Sequence, residues 1–124
     1  MALRCLLDTN IILYLLGGRL SEPLPEGMYF ASVITELELL SYSSLCSEEE
    51  EKISQFLKEI TVVELNSEIK KKTIIIRRNH KIKLPDAIII ATAQSLEAKI
   101  LSNDTHMVKV PCSDVVSLSL KETN

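Results

Sequence analysis

The chain has 124 residues, enough for one domain with a sizeable core, and its 46% hydrophobic and 25% charged residues exclude a disordered polymer. A net charge of −3 gives no overall attraction for nucleic acid. No apolar run approaches the roughly 20 residues of a membrane span, and the N-terminus enters a strand-like segment without a basic region or cleavage site, so a cytoplasmic protein with no membrane partner is expected.

Cys5, Cys46 and Cys112 are an odd number at wide spacings, with no Cys-x-x-Cys pair and no His at zinc-finger separation. Buried free thiols are expected. The charge is unevenly spread: Lys70, Lys71, Lys72, Arg77, Arg78, Lys81 and Lys83 fall in one stretch that contains no acid. That stretch is either a basic surface for a polyanion or a solvated helix face whose Lys stems cover apolar area.

In chain order, "RCLLD" is a short apolar run of strand length, and "NIILYLL" suits a helix ended by Gly17-Gly18. "GGRLSEPLPEG" reads as a loop. "MYFA" is a second strand, after which Ser32 is placed to cap the helix "VITELELLSYS", where Val33, Leu37 and Leu40 share a face by i, i+4, i+7 spacing. "SEEEEKISQFLKEI" has a Ser47 cap, acids in its first turn and an apolar stripe of Ile53, Phe56, Leu57 and Ile60. "TVVEL" is a third strand. The segment "TIIIRR" is divided between strand by the propensity of its Ile triplet and helix by the Ser67 cap and flanking Lys, and helix is the expectation. "LPDAIIIATAQSLEA" is a long helix with Pro85 in its opening turn and Asp86 behind it. "KILSND" is a buried strand and "DVVSLSL" a final edge strand. Strands separated by helices imply an α/β fold: a single domain over residues 1–124, with a mostly parallel sheet of four to five strands and helices on both faces.

Four carboxylates lie at element boundaries. Asp8 ends the first strand, inside the otherwise apolar "LLDTNIILYLL", where a buried carboxylate needs a partner; capping of the next helix by Asp8 or Thr9 would already supply one. Asp104 follows "KILSN", Asp86 opens the long helix, and Glu38 sits in the helix after the second strand. The carboxyl ends of parallel strands line one edge, and ligands bind in the crevice there. Acids converging at that edge repel one another unless a cation sits among them, and an all-oxygen set suits Mg²⁺ or Mn²⁺. Such ions point to phosphodiester chemistry, and the basic stretch before Asp86 would hold the polyanion.

At these residues the sequence resembles the PIN-domain family, in particular VapC-type toxins of toxin–antitoxin pairs, over nearly the whole chain. "LLDTNIILYLL" resembles the first motif, an Asp closing the first strand followed by Thr and Asn. "SVITELELL" resembles the second, in which Ser or Thr precedes an acid by three residues; that resemblance selects Glu38 over Glu36, which periodicity alone leaves open. "KLPDAIIIATA" is similar to the motif in which Asp starts a helix beneath the active site. "ILSNDTHMVKV" resembles the last motif, with His106 where many relatives carry a further acid and Met107 in place of an aromatic. The Gly that often follows the second motif is replaced by Ser41-Tyr42.

The resemblance implies a metal-dependent endoribonuclease, commonly a homodimer and held inactive by a small antitoxin. Asp8, Glu38, Asp86 and Asp104 would hold one or two Mg²⁺ or Mn²⁺ ions and carry catalysis on RNA. Thr9, Asn10 and Ser102 would orient the carboxylates, and Arg77, Arg78, Lys81 and Lys83 would contact phosphates. His80 and His106 are the side chains that could otherwise act as general acid or base. A non-catalytic PIN-like module binding RNA or protein is the alternative. A haloacid dehalogenase phosphatase is disfavoured because Asn10 stands where it needs a second acid, and a receiver domain because the first strand lacks an acidic pair at its end.

Overall fold

The computed structural model describes residues 3–103 and 114–121. The elements follow as β1 (Arg4–Leu7), α1 (Thr9–Leu16), β2 (Met28–Ser32), α2 (Val33–Leu40), α3 (Ser47–Glu59), β3 (Thr61–Val63), α4 (Ser67–Asn79), α5 (Leu84–Leu96), β4 (Lys99–Leu101) and β5 (Val115–Val116). The strands form one five-stranded sheet in the order β3-β2-β1-β4-β5, and every pairing is parallel. A parallel sheet needs helical crossovers, and these cover both faces.

The sheet splits its apolar side chains by the period of two. Leu6 pairs with Phe30 on one side and Ile100 on the other, and these three join Ile69 and Ile76 of α4 and the apolar residues of α5 in one core. Their chain neighbours Cys5, Leu7, Ala31 and Leu101 point to the opposite face, where Ile11 and Ile12 of α1, Leu39 of α2, and Ile53 and Leu57 of α3 form a second core. Cys5, Leu6 and Leu7 are fully buried because β1 is the middle strand with helices above and below. Residues Ala87 to Ala93 of α5 are buried without interruption, so the middle of this helix is enclosed on all sides while its two ends reach solvent.

Several boundaries shift from the sequence expectation for identifiable reasons. The "TIIIRR" segment is helical: Asn66, one residue before Ser67, caps α4 by accepting from Ile69 N at 2.9 Å, and Ile69, Thr73 and Ile76 form its buried stripe. Cap and stripe outweigh the β-branched preference, and Ile74 and Ile75 are left exposed. In α3 the cap is Cys46 instead of Ser47, with Cys46 N donating to Glu49 Oε1 at 3.2 Å.

The thiols also divide. Cys5 is buried, which pushes its pKa up against the lowering influence of Lys99, whereas Cys46 is exposed, contrary to expectation; Cys112 lies outside the described residues. The apolar face expected on α2 is also turned the other way, since Leu37 is 57% and Leu40 39% exposed while Thr35 and Leu39 are buried. Only Val115 and Val116 of "DVVSLSL" join the ladder.

Beyond β5 the chain folds back over the start of the molecule. Asn103 forms a two-point clamp on Leu118, its Nδ2 donating to Leu118 O at 3.0 Å while its Oδ1 accepts from Leu118 N at 2.9 Å. Ser21 N then donates to Ser119 O at 3.0 Å and Lys121 N to Arg19 O at 2.7 Å, with an antiparallel bridge between Leu20 and Leu120. These bonds tie the carboxyl end of β4 to the loop that follows α1. No helix among the described residues is long and apolar enough to cross a membrane.

Candidate active site

All five strands run the same way, so the carboxyl ends of β1, β2 and β4 meet at one edge of the sheet. At that edge the apolar runs stop and polar residues begin: Asp8 after β1, Ser32 closing β2, Ser102 after β4. Asp8 N donates to Leu101 O at 3.1 Å, which extends the β1–β4 ladder by one bond and holds Asp8 beside Ser102.

Asp8 is the N-cap of α1, with extended backbone and with Oδ1 accepting from Thr9 N at 2.8 Å. The capping use weighed from the sequence is therefore real. It occupies only one oxygen. Oδ2 accepts from Ser102 Oγ at 2.7 Å, from a residue 94 positions away that is itself fully buried. A carboxylate that is only 6% exposed is thus oriented by donors from two elements, which offsets the cost of removing it from water.

Thr9 links this carboxylate to a second one. Its backbone N–H serves Asp8, and its hydroxyl donates to Glu38 Oε1 at 2.9 Å. Thr35 Oγ1 lies 3.3 Å from the same Thr9 oxygen. Thr35, Glu38 and Leu39 are spaced i, i+3, i+4 and share the inner face of α2, which explains why Leu37, about 200° from Thr35, points outward. Glu38 lies at the solvent end of that face and is exposed. Glu36 is partly buried and is likewise about 200° from Glu38 around the helix.

Asp86 is half-buried in the first turn of α5. α5 turns directly into β4, whose strand direction is the reverse of the helix direction, so the first turn of α5 lies at the same carboxyl edge as Asp8. Lys83, the N-cap residue of α5, is exposed three positions before Asp86. Arg77, Arg78 and Lys81 are exposed as well, with Arg77 Nε donating to Ile82 O at 3.4 Å.

The structure therefore brings together Asp8, Thr9, Glu38 and Ser102 through direct hydrogen bonds. Asn10 is exposed in the first turn of α1, outside this set. His80 closes α4 and faces a groove with Lys72, Ile75 and Gln94, which none of Asp8, Glu38 and Asp86 lines. Asp104 and His106 lie outside the described residues. Among the described residues no three Asp, Glu, His or Cys side chains stand close enough together to hold a metal ion. The donor set at the edge is nevertheless all oxygen, the type that hard divalent cations take.

Thr35 and Asn103 have parts in this edge that no role expected from the sequence covers. In the sequence Thr35 marks only the spacing to Glu38, and nothing local to Asn103 signals its clamp on Leu118.

An all-parallel α/β sheet with Asp8 and Glu38 linked through Thr9 at its carboxyl edge defines the class, and the comparisons define the family. The PIN domain profile matches residues 5–111, and the chain belongs to the PIN-domain family. A toxin–antitoxin complex from Klebsiella pneumoniae contains a chain 28% identical, with 90% of this chain and 95% of that one covered and a TM-score of 0.73. VapBC2 from Rickettsia felis, bound to a DNA fragment from its promoter, matches at 17% identity over 94% and 100% of the chains with a TM-score of 0.79. VapBC-1 from nontypeable Haemophilus influenzae matches at 23% identity over 93% and 98%, with a TM-score of 0.71. The last two show likeness of fold. No curated protein matches the sequence significantly.

Proposed function

We propose that this protein is a metal-dependent endoribonuclease, the toxin of a VapBC-type toxin–antitoxin pair. The observation that carries the reading is the joining of Asp8 and Glu38, from two different elements, through the single residue Thr9 at the carboxyl edge of the sheet. PIN domains are generally nucleases, and solved toxin–antitoxin complexes share this fold.

In this reading Asp8, Glu38, Asp86 and Asp104 hold one or two Mg²⁺ or Mn²⁺ ions. A divalent ion, when bound, offsets the repulsion of the acids, makes water a stronger nucleophile and stabilises charge on phosphate. Ser102 and the Thr9 N–H fix both oxygens of Asp8, so its carboxylate is oriented before any ion arrives. The Thr9 hydroxyl does the same for one oxygen of Glu38. Asn10 stands at the solvent side of the same turn as a further polar group. Arg77, Arg78, Lys81 and Lys83 contact the RNA backbone and set affinity without reading sequence. A small antitoxin blocks the edge, and the active toxin is a cytoplasmic homodimer of the single domain spanning residues 1–124.

Purified protein incubated with single-stranded and structured RNA should cleave with Mn²⁺ and stop with EDTA. Equal cleavage under both conditions, or full cleavage by Asp8→Asn and Asp86→Asn, rejects the reading. A non-catalytic RNA- or protein-binding module draws support from the lack of a three-acid cluster among the described residues. Retained RNA binding without cleavage at any Mn²⁺ concentration would favour it.

A further inference from the structure

Glu38 is exposed, yet one of its oxygens is held by a bond that continues into the protein through two hydroxyls. Thr9 Oγ1 lies 2.9 Å from Glu38 Oε1 and 3.3 Å from Thr35 Oγ1. A threonine hydroxyl has one proton to donate and two lone pairs, whereas an ionised carboxylate only accepts. Thr9 therefore commits its proton to Glu38. The contact between the two hydroxyls then needs a proton from Thr35, which gives the chain a direction: Thr35 donates to Thr9, and Thr9 donates to Glu38. A donor that is itself accepting a hydrogen bond is polarised and donates more strongly.

The geometry leaves little freedom in this chain. Thr35 is fully buried and projects from the same face of α2 as Glu38, while Thr9 comes from the first turn of α1. The two hydroxyls thus connect the carboxylate of an exposed residue to a fixed point in the interior.

We infer that Thr35 is a positioning residue: through Thr9 its hydroxyl sets the direction in which the Glu38 carboxylate presents its other oxygen to a divalent cation. The inference rests on the nuclease reading and adds to it a residue that touches neither ion nor RNA.

Calorimetric titration of the full chain with Mn²⁺ alone tests it, with Thr35→Val removing the hydroxyl at constant shape and Thr35→Ser keeping it. Thr35→Val should weaken Mn²⁺ binding by about 3- to 10-fold, less than the roughly 10- to 100-fold typical of groups that bond a ligand directly because Thr35 acts through Thr9, and Thr35→Ser should restore the wild-type affinity. A space-filling role would lower the melting temperature of the Val variant and leave its Mn²⁺ affinity unchanged. Unchanged affinity in Thr35→Val, or equal weakening in Thr35→Ser, overturns the inference. Should the Val variant fail to fold, Thr35→Ala removes the hydroxyl without risk of overpacking and is held to the same two outcomes. Absence of Mn²⁺ uptake by the wild type brings down the nuclease reading together with the inference, whereas uptake unaffected by the loss of the hydroxyl brings down the inference alone.

Discussion

The two acids that Thr9 joins are held in opposite ways. Asp8 is buried at the end of the central strand, and each of its oxygens accepts a bond from a different part of the chain. Glu38 is exposed on the second turn of a short helix, and the bond to its Oε1 comes from a side chain in another helix. The fold is therefore built around Asp8, whereas it only steers Glu38. In the proposed nuclease one carboxylate serves structure and chemistry together, and the other serves chemistry at small structural cost.

The sharpest way to use this contrast is to remove charge at both positions and compare activity with stability. In the proposed nuclease, Asp8→Asn and Glu38→Gln should each lower the rate of RNA cleavage by about 100-fold or more, the usual scale for losing a group that stabilises developing charge. On that measure the two positions should look alike. They should separate in urea denaturation. Asp8→Ala removes the buried bond from Ser102 and uncaps α1, and should cost about 1–3 kcal/mol, while Glu38→Ala at its exposed site should change stability by no more than about 0.5 kcal/mol. Equal destabilisation by the two would break the comparison.

A smaller effect is expected one bond further out. Ser102→Ala leaves Asp8 in place without the 2.7 Å bond to Oδ2, and should weaken Mn²⁺ binding by about 10-fold in titration while the helices keep their circular dichroism signal. Smallest is the effect of the basic stretch, which lies outside the contrast altogether. Arg77→Ala and Arg78→Ala should leave metal affinity untouched, and each should reduce the slope of log affinity against log salt for single-stranded RNA by about 0.7. A change in Mn²⁺ affinity in either Arg variant would show that the basic surface and the acidic edge are not separate.

The order of the elements was legible because the apolar runs are short and each is closed by a cap, a glycine pair or a proline. The parallel sheet followed from their alternation. The way helix faces point was less legible. Leu37 and Leu40 of α2 look like a core stripe, but the inner face carries Leu39, which enters the core, together with Thr35 and Glu38, which meet Thr9. A periodicity argument ranks leucine above threonine and so chooses the wrong side. The Ile triplet of α4 is helical as expected, and of its three residues only Ile76 meets the core.

At the site, the end-of-strand position of Asp8 and the first-turn position of Asp86 were readable from local pattern. The pairing of Asp8 with Ser102 was not, because it depends on β1 and β4 being neighbours, although 94 residues separate the partners. Glu38 could be chosen over Glu36 only through the family motif, and its link to Thr9 supplies the physical reason for that choice. Thr35 is hidden from sequence reasoning because a buried threonine in a helix has many uses.

The grip of Asn103 on Leu118 makes the segment after β5 a part of the rim of the carboxyl edge. A chain trimmed just before Leu118 would keep every helix and all five strands, yet the amide next to Ser102 would lose both its anchors. Damage to this strap would then reach the neighbour of Ser102, the partner of Asp8, as well as the core against which Leu118 packs, so the strap is a latch on the carboxyl edge in addition to a support for the core.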